Sequence, residues 1–126
     1  MRLDPIEFLV FHFRSLGLNA RVTGDMTEHT TGGTTVYFEH SGGFRVVRDS
    51  MDRAEIEYSV YSLDRKECAD IAYRVRELLL ESLPNAAVGG ALVLDVAEIS
   101  SPQYFPDRSS REHMYGGEVA LFYVAD

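Results

Sequence analysis

The side chains best suited to chemistry are two carboxylates, Glu55 and Glu57, on a segment whose residues alternate between apolar and polar. Alternation places both on one face of a strand. Two neighbouring carboxylates can act as a general acid and a general base. The same spacing is also typical of a solvated sheet face, where Arg45, Arg48 and Arg53 on nearby strands could neutralise the pair. The sequence favours this second interpretation.

The histidines are not spaced for a metal site. None of the four follows another by three or four residues, the spacing that builds a metal-binding helix face. Asp25, Glu28 and His29 could form a carboxylate–imidazole cluster. The segment 27–33 contains no apolar side chain, however, and this predicts an exposed loop. We therefore expect neither a metal ion nor any other cofactor.

Motifs for nucleophilic catalysis or phosphate binding do not occur in the sequence. No serine lies in a strand–elbow–helix motif, and no glycine-rich phosphate loop is present. The glycine pairs at 32–33, 42–43, 89–90 and 116–117 predict turns. Cys68 falls on the apolar stripe of a predicted helix, which favours a small buried hydrophobic side chain. We therefore expect the chain not to be an enzyme.

Composition limits the class of protein. The chain has 126 residues, which suits a single domain over 1–126, and a formal net charge of −8. It offers no basic patch of the kind that binds nucleic acid. A lone cysteine fits a reducing cytosol, and an acid and a proline follow Met1 too soon for a signal peptide. No apolar run reaches the roughly 18 residues that span a bilayer.

The strongest structural signal is a strand that leads directly into a helix, over residues 53–84. Apolar residues alternate with polar ones over 53–62, which predicts a strand. Asp64 and Glu67 then form a capping-box pattern, and Pro84 ends the helix. The buried stripe predicted for this helix comprises Cys68, Ile71, Ala72, Val75, Leu78 and Leu79.

A shorter helix is predicted near the start of the chain. Asp4 is its cap, Pro5 its first residue, and Gly17 follows its end. The predicted core stripe comprises Ile6, Leu9, Val10, Phe13 and Leu16. Phe8 and Phe11 fall on another face, so the helix is expected to be buried on two sides. A neighbouring molecule or a loop of the same chain could cover the second side.

The remaining elements are strands. They are predicted at 20–23, 34–40, 44–48, 91–100 and 114–124, with a turn at 41–43. Helices and strands are segregated rather than strictly alternating. This predicts an α+β fold with a mostly antiparallel or mixed sheet and two helices packed on one face.

A long loop is predicted over 101–113. It holds Tyr104 and Phe105 between two prolines. Long loops with aromatic side chains are often functional or docked on a partner. The alternative is a loop folded back on its own sheet.

These elements resemble a known family. The alternating strand, the segments 61–72 and 75–80, and the Tyr104–Asp107 loop with Arg108 and Arg111 are similar to the tail terminator proteins of long-tailed bacteriophages. Those are small minor tail proteins that cap the tail tube. The likeness covers nearly the whole chain and is weakest before Phe44.

The resemblance implies a structural virion protein that forms a hexameric ring. Such a ring caps the last ring of tail tube protein, stops its polymerisation and presents its other face to the head–tail connector. It lies at the head-proximal end of the tail after synthesis in the host cytoplasm. DNA passes through the central hole without specific binding, and a negative net charge favours that passage.

Within this hypothesis two groups of residues are expected to make contacts. The subunit interface is predicted to comprise Phe8, Phe11, Tyr104, Phe105, Asp107, Arg108 and Arg111. The loop facing the tube or the lumen is predicted to comprise Glu28, His29, Thr30 and Thr31. Two alternatives stay open: a head–tail connector or head-closure protein, and a small cytosolic α+β enzyme or ligand-binding domain.

Overall fold

A computed structural model describes residues 3–27, 29–47, 51–106 and 111–125. Its elements, in chain order, are α1 (Pro5–Arg14), β1 (Arg21–Thr23), β2 (Thr35–Val47), β3 (Met51–Ser62), α2 (Arg65–Glu77), β4 (Ala87–Val88), β5 (Ala91–Pro106) and β6 (His113–Ala125). A π-helical turn, Leu78–Ser82, continues α2. The predicted α+β class is confirmed.

The six strands form one mixed, curled sheet in the order β1-β2-β3-β6-β5-β4. Among the strands that the structure describes, only the β1–β2 pair is parallel, and the other four pairs are antiparallel. The central strands β3 and β6 carry the largest share of the sheet's buried apolar residues. Strand β4 spans only two residues, so it covers only the beginning of β5.

Both helices begin where the sequence predicts. The Asp4 carboxylate accepts a hydrogen bond from the backbone N–H of Ile6, and Asp64 accepts one from Lys66 and one from Glu67. Each cap satisfies N–H groups that the first helical turn leaves without a partner. Helix α1 contacts β1, β2 and β4, whereas α2 contacts β3, β6 and β5. We call the sheet face away from the helices the outer face.

Phe8 is a core residue, and the prediction that it leaves the core stripe is wrong. Its side chain is only 3% exposed, and its ring packs edge-on against Tyr123 with 5.2 Å between centroids. The curled sheet brings β4 against α1, so α1 buries a wider stripe than one flat sheet would cover. Phe11 is 71% exposed, and Leu16, predicted in the core, is 36% exposed.

The predicted turn at 41–43 is also wrong. Strand β2 continues through it, with an irregular register between His40 and Gly42. Gly43 has φ 140°, and a Cβ there would overlap the carbonyl oxygen of Arg53 on β3. The glycine therefore allows close approach of two strand backbones rather than a reversal of the chain. Gly116 and Gly117 likewise lie inside β6.

The described part of the predicted loop over 101–113 is mostly strand, and residues 107–110 lie outside the described ranges. Strand β5 runs to Pro106 and β6 starts at His113, with Tyr104 opposite Tyr115 and Phe105 opposite Met114. A register shift between Ser100 and Gln103 lets β5 pass Pro102 while the strand stays paired with β6. Among the described residues, no helix has both the length and the apolar character needed to cross a bilayer.

Candidate functional site

Three glutamates lie side by side across the outer face. Glu39 on β2 is opposite Glu57 on β3, and Glu57 is opposite Glu118 on β6. We call these three residues the acidic row. Partial burial, followed by the charges of Glu118 and Glu39, raises the pKa of Glu57. Like charges placed directly opposite each other destabilise a sheet, so this arrangement costs folding free energy.

The two carboxylates singled out in the sequence have different surroundings. Glu55 pairs with Arg53, whose Nη1 lies 2.6 Å from Glu55 Oε1. The Arg53 guanidinium also lies over the Phe44 ring, 5.4 Å from its centroid. Glu57 has no cation within 4.0 Å in the described part of the chain. The predicted neutralisation is therefore confirmed for Glu55, through Arg53, and not seen for Glu57 among the described residues. Arg45 lies near Asp52 instead, and Arg48 lies outside the described residues.

A shallow hollow of about 270 Å³ adjoins the acidic row. Glu57 and Glu118 line one part of it, and Phe105, which is 47% exposed, lines another. Gly116, opposite Ser59 on the outer face, leaves the hollow open because it carries no side chain. The structure thus brings Phe105 of the predicted interface next to an acidic surface.

Tyr104 faces the helices rather than the outer face. The Arg65 guanidinium lies 4.1 Å from the centroid of its ring, and its hydroxyl lies 2.8 Å from His113 Nδ1. Tyr104 is half-buried by these contacts within its own chain. It therefore offers much less surface to a partner than Phe105 does.

His29 links the two segments that the sequence predicted to contact partners. Its Nε2 lies 2.8 Å from Oε1 of Glu112, a carboxylate whose side chain is 1% exposed. The His29 ring also packs near Tyr61 on β3, with 5.8 Å between centroids. The loop that was expected to be solvated is therefore attached to the rest of the fold through His29. Thr30, Thr31 and Arg111 are exposed, whereas Glu28, Asp107 and Arg108 lie outside the described residues.

An open apolar groove of about 700 Å³ lies between α1 and the end of β1. Ile6, Val10 and Phe11 supply its apolar lining. Its polar groups already make local bonds: Asp25 accepts from the Thr27 N–H at 2.9 Å, and Arg14 Nε donates to the Val22 carbonyl at 3.0 Å. The polar groups of a catalytic cleft converge on one point, whereas these do not.

The sequence patterns did not predict several residues of these surfaces. Glu39 and Glu118 join Glu57 only because of strand order, which no local pattern reveals. Glu112 stands in a segment with no apolar periodicity. Within the described ranges, no group of three or more histidine, cysteine, aspartate or glutamate side chains could hold a metal ion.

Comparison with other proteins adds no assignment. No protein-family model matches this chain, and no curated protein matches it.

Proposed function

We propose that this chain is a tail terminator protein, which forms a ring on the end of a phage tail tube and provides the docking face for the head–tail connector. The observation that carries the proposal is the acidic row on an outer face that neither helix covers. The resemblance in the sequence supports the same function.

The acidic row suits a surface along which DNA moves. Three carboxylates on one face repel the phosphates of DNA, so a lumen lined by them would let DNA pass without binding it. A folded protein keeps like charges opposite each other, at a cost in stability, when another requirement outweighs that cost. Passage of DNA is such a requirement. The ring then needs this face turned towards its axis.

The exposed apolar side chains suit contacts with neighbouring copies and stacked rings. Phe11, Phe44 and Phe105 are 71%, 62% and 47% exposed. Apolar residues scattered singly on a surface need no explanation. Here Phe105 adjoins the acidic row and Phe11 lines a groove, so each belongs to a larger surface.

The test of capping adds the purified chain to polymerising tail tube protein and measures tube lengths by electron microscopy. We expect tubes to stop growing and to carry a ring at one end. Tubes of unchanged length without end rings would contradict the proposal. Deletion of the gene in the phage should give overlong or unjoined tails, whereas heads that leak DNA would indicate a head-closure protein instead.

The test of the lumen replaces all three residues of the acidic row with lysine. This variant should retard duplex DNA in a gel-shift assay at low salt, where the unmodified ring does not. The matched control reverses the exposed charges of Asp70, Glu77 and Glu81, which changes net charge equally on the helix side. Equal retardation by both variants would exclude a special role for the acidic row.

A further inference from the structure

The α1 groove exposes apolar surface that the core does not use. Phe11 is 71% exposed and lies with Ile6 and Val10 along one side of the groove. Gly24 lies at the other side, where a Cβ would overlap Ile6 Cγ2, so glycine lets β1 end close against the helix. The result is a concave surface on the outside of α1.

One cation lines this groove. Arg14, the last residue of α1, is exposed and has no carboxylate within 4.0 Å in the described ranges of the chain. Its Nε donates to the Val22 carbonyl at 3.0 Å, which leaves its terminal nitrogens for a partner. Glu7 and Asp25 also line the groove, but the Asp25 carboxylate already accepts a hydrogen bond from the Thr27 N–H.

A second surface lies on the edge of β5. Up to Val93 its free side is bonded by residues 85–88, but beyond that point no described strand pairs with it. Leu94 and Ile99 are the residues that β5 inserts at two register shifts, and they have no opposite partner in β6. They are 38% and 45% exposed.

These bulges determine how the edge can be used. A bulge re-aims the side chain of the inserted residue, so Leu94 and Ile99 project as apolar knobs. A bulged edge also resists the addition of another strand by backbone hydrogen bonds. The β5 edge is therefore suited to docking through side chains. Asp95, next to Leu94, is exposed and has no cation within 4.0 Å among the described residues.

We propose that the β5 edge of one copy docks in the α1 groove of the next copy. Leu94 and Ile99 cover Phe11 and Val10, and Asp95 pairs with Arg14. The contact joins two different patches, so it propagates head to tail and can close into a ring. This inference depends on the ring of the proposed function and names the surfaces that would form it.

The occupant is a second copy because the two surfaces complement each other. One is a concave apolar groove lined by Arg14, which has no carboxylate within 4.0 Å among the described residues. The other is a convex apolar edge with Asp95, which has no cation within 4.0 Å among them. Each chain carries a net charge of −8, so copies repel one another unless local charges of opposite sign meet. An ion pair between Arg14 of one copy and Asp95 of the next would offset this repulsion.

Cysteine cross-linking tests the geometry. A chain carrying Phe11→Cys and Ile99→Cys should give, on oxidation, a ladder of species beyond the dimer. A mixture of the two single variants should stop at a dimer that contains one of each. Dimers from Phe11→Cys alone would show a two-fold contact and overturn the proposal, as would no cross-linked species in solution or in assembled tails.

Charge exchange tests the pairing. Arg14→Asp and Asp95→Arg should each weaken self-association at least about tenfold, and the double variant should restore it. Leu63→Ser, which removes a 54% exposed apolar side chain away from both surfaces, is the matched control and should change nothing. Failure of the double variant to recover would exclude the Arg14–Asp95 pair. Because these assays measure only assembly, a ring that did not cap tubes would contradict the proposed function but not this contact.

Discussion

Glu57 and Glu118 lie directly opposite each other on adjacent antiparallel strands, with Glu39 opposite Glu57 on its other side. Three ionised carboxylates in a row raise the free energy of the folded state relative to the unfolded state. Burial and these two neighbours accordingly raise the pKa of Glu57. The acidic row therefore lowers the stability of the folded protein by an amount that can be measured.

Replacing Glu57 with glutamine should increase the free energy of unfolding at neutral pH by about 0.5 kcal/mol, a value kept small because solvent screens this exposed group. The pKa of Glu57 is higher in the folded state than in the unfolded state. The wild type therefore loses stability as the pH rises from the unfolded pKa through the folded pKa. The gain from glutamine should therefore shrink as the pH falls, and vanish below the ordinary value of 4.5.

Denaturant unfolding at several pH values measures this effect. Glu55→Gln is the matched control, because Glu55 already pairs with Arg53 at 2.6 Å. That variant should not be stabilised. An equal gain from both substitutions would mean that general net charge, rather than the acidic row, determines the effect.

His29 and Glu112 should stabilise each other across 83 positions of the sequence. Their hydrogen bond is largely buried, so His29→Ala and Glu112→Ala should each lower the free energy of unfolding by about 1–3 kcal/mol. A double-mutant cycle should give a coupling energy of about 1 kcal/mol.

Hydrogen exchange localises the same effect. Both variants should speed amide exchange over 24–34, because that segment loses a contact with the start of β6. Thr30→Ala, at an exposed position of the same segment, should leave exchange unchanged. If the loss of stability in the double variant equalled the sum of the losses in His29→Ala and Glu112→Ala, the two side chains would not stabilise each other.

Gly117 should tolerate alanine poorly. A Cβ there would overlap the Tyr58 hydroxyl and would lie 2.6 Å from Tyr58 Cζ and 2.9 Å from the Ser100 carbonyl oxygen. Because Tyr58 is fully buried, the ring has little room to move, and we expect a loss of about 2 kcal/mol. Thermal or denaturant unfolding measures it.

The neighbouring glycine provides the comparison. The tightest contact of a Cβ at Gly116 would be with Met114 Cε at 3.3 Å, the end of a flexible side chain, and its contacts with the Tyr58 carbonyl oxygen at 3.5 Å and Ser59 Oγ at 3.7 Å would be ordinary. Gly116→Ala should therefore cost less than about 1 kcal/mol. Equal losses at the two positions would mean that backbone conformation, rather than contact with Tyr58, is the cause.

Cys68 should be unreactive in the folded protein. It is fully buried, its Sγ donates to the Val60 carbonyl at 3.0 Å, and burial raises the pKa of its thiol to about 11. Labelling by iodoacetamide at pH 8 should be at least about 10³-fold slower than in denaturant, since the thiolate forms mainly after local opening. Cysteine at Leu63 should label rapidly in the same assay. Rapid labelling of Cys68 itself would contradict the packing of α2 on β3.

The sequence by itself determined the elements whose signals are local. The caps at Asp4 and Asp64 depend on residues within three positions, and the alternation in β3 depends on immediate neighbours. Such patterns are sufficient to predict two helices on a mostly antiparallel sheet. They also predicted correctly that Cys68 is buried.

Only the tertiary structure determined the features that depend on contacts between residues far apart in the chain. Phe8 is buried because the sheet curls and brings β4 against α1, and Gly43 lies within a strand because β3 approaches its backbone. The acidic row exists because β6 inserts between β3 and β5 and places Glu118 opposite Glu57. Strand order is set by the packing of the whole core, so no short stretch of sequence encodes it.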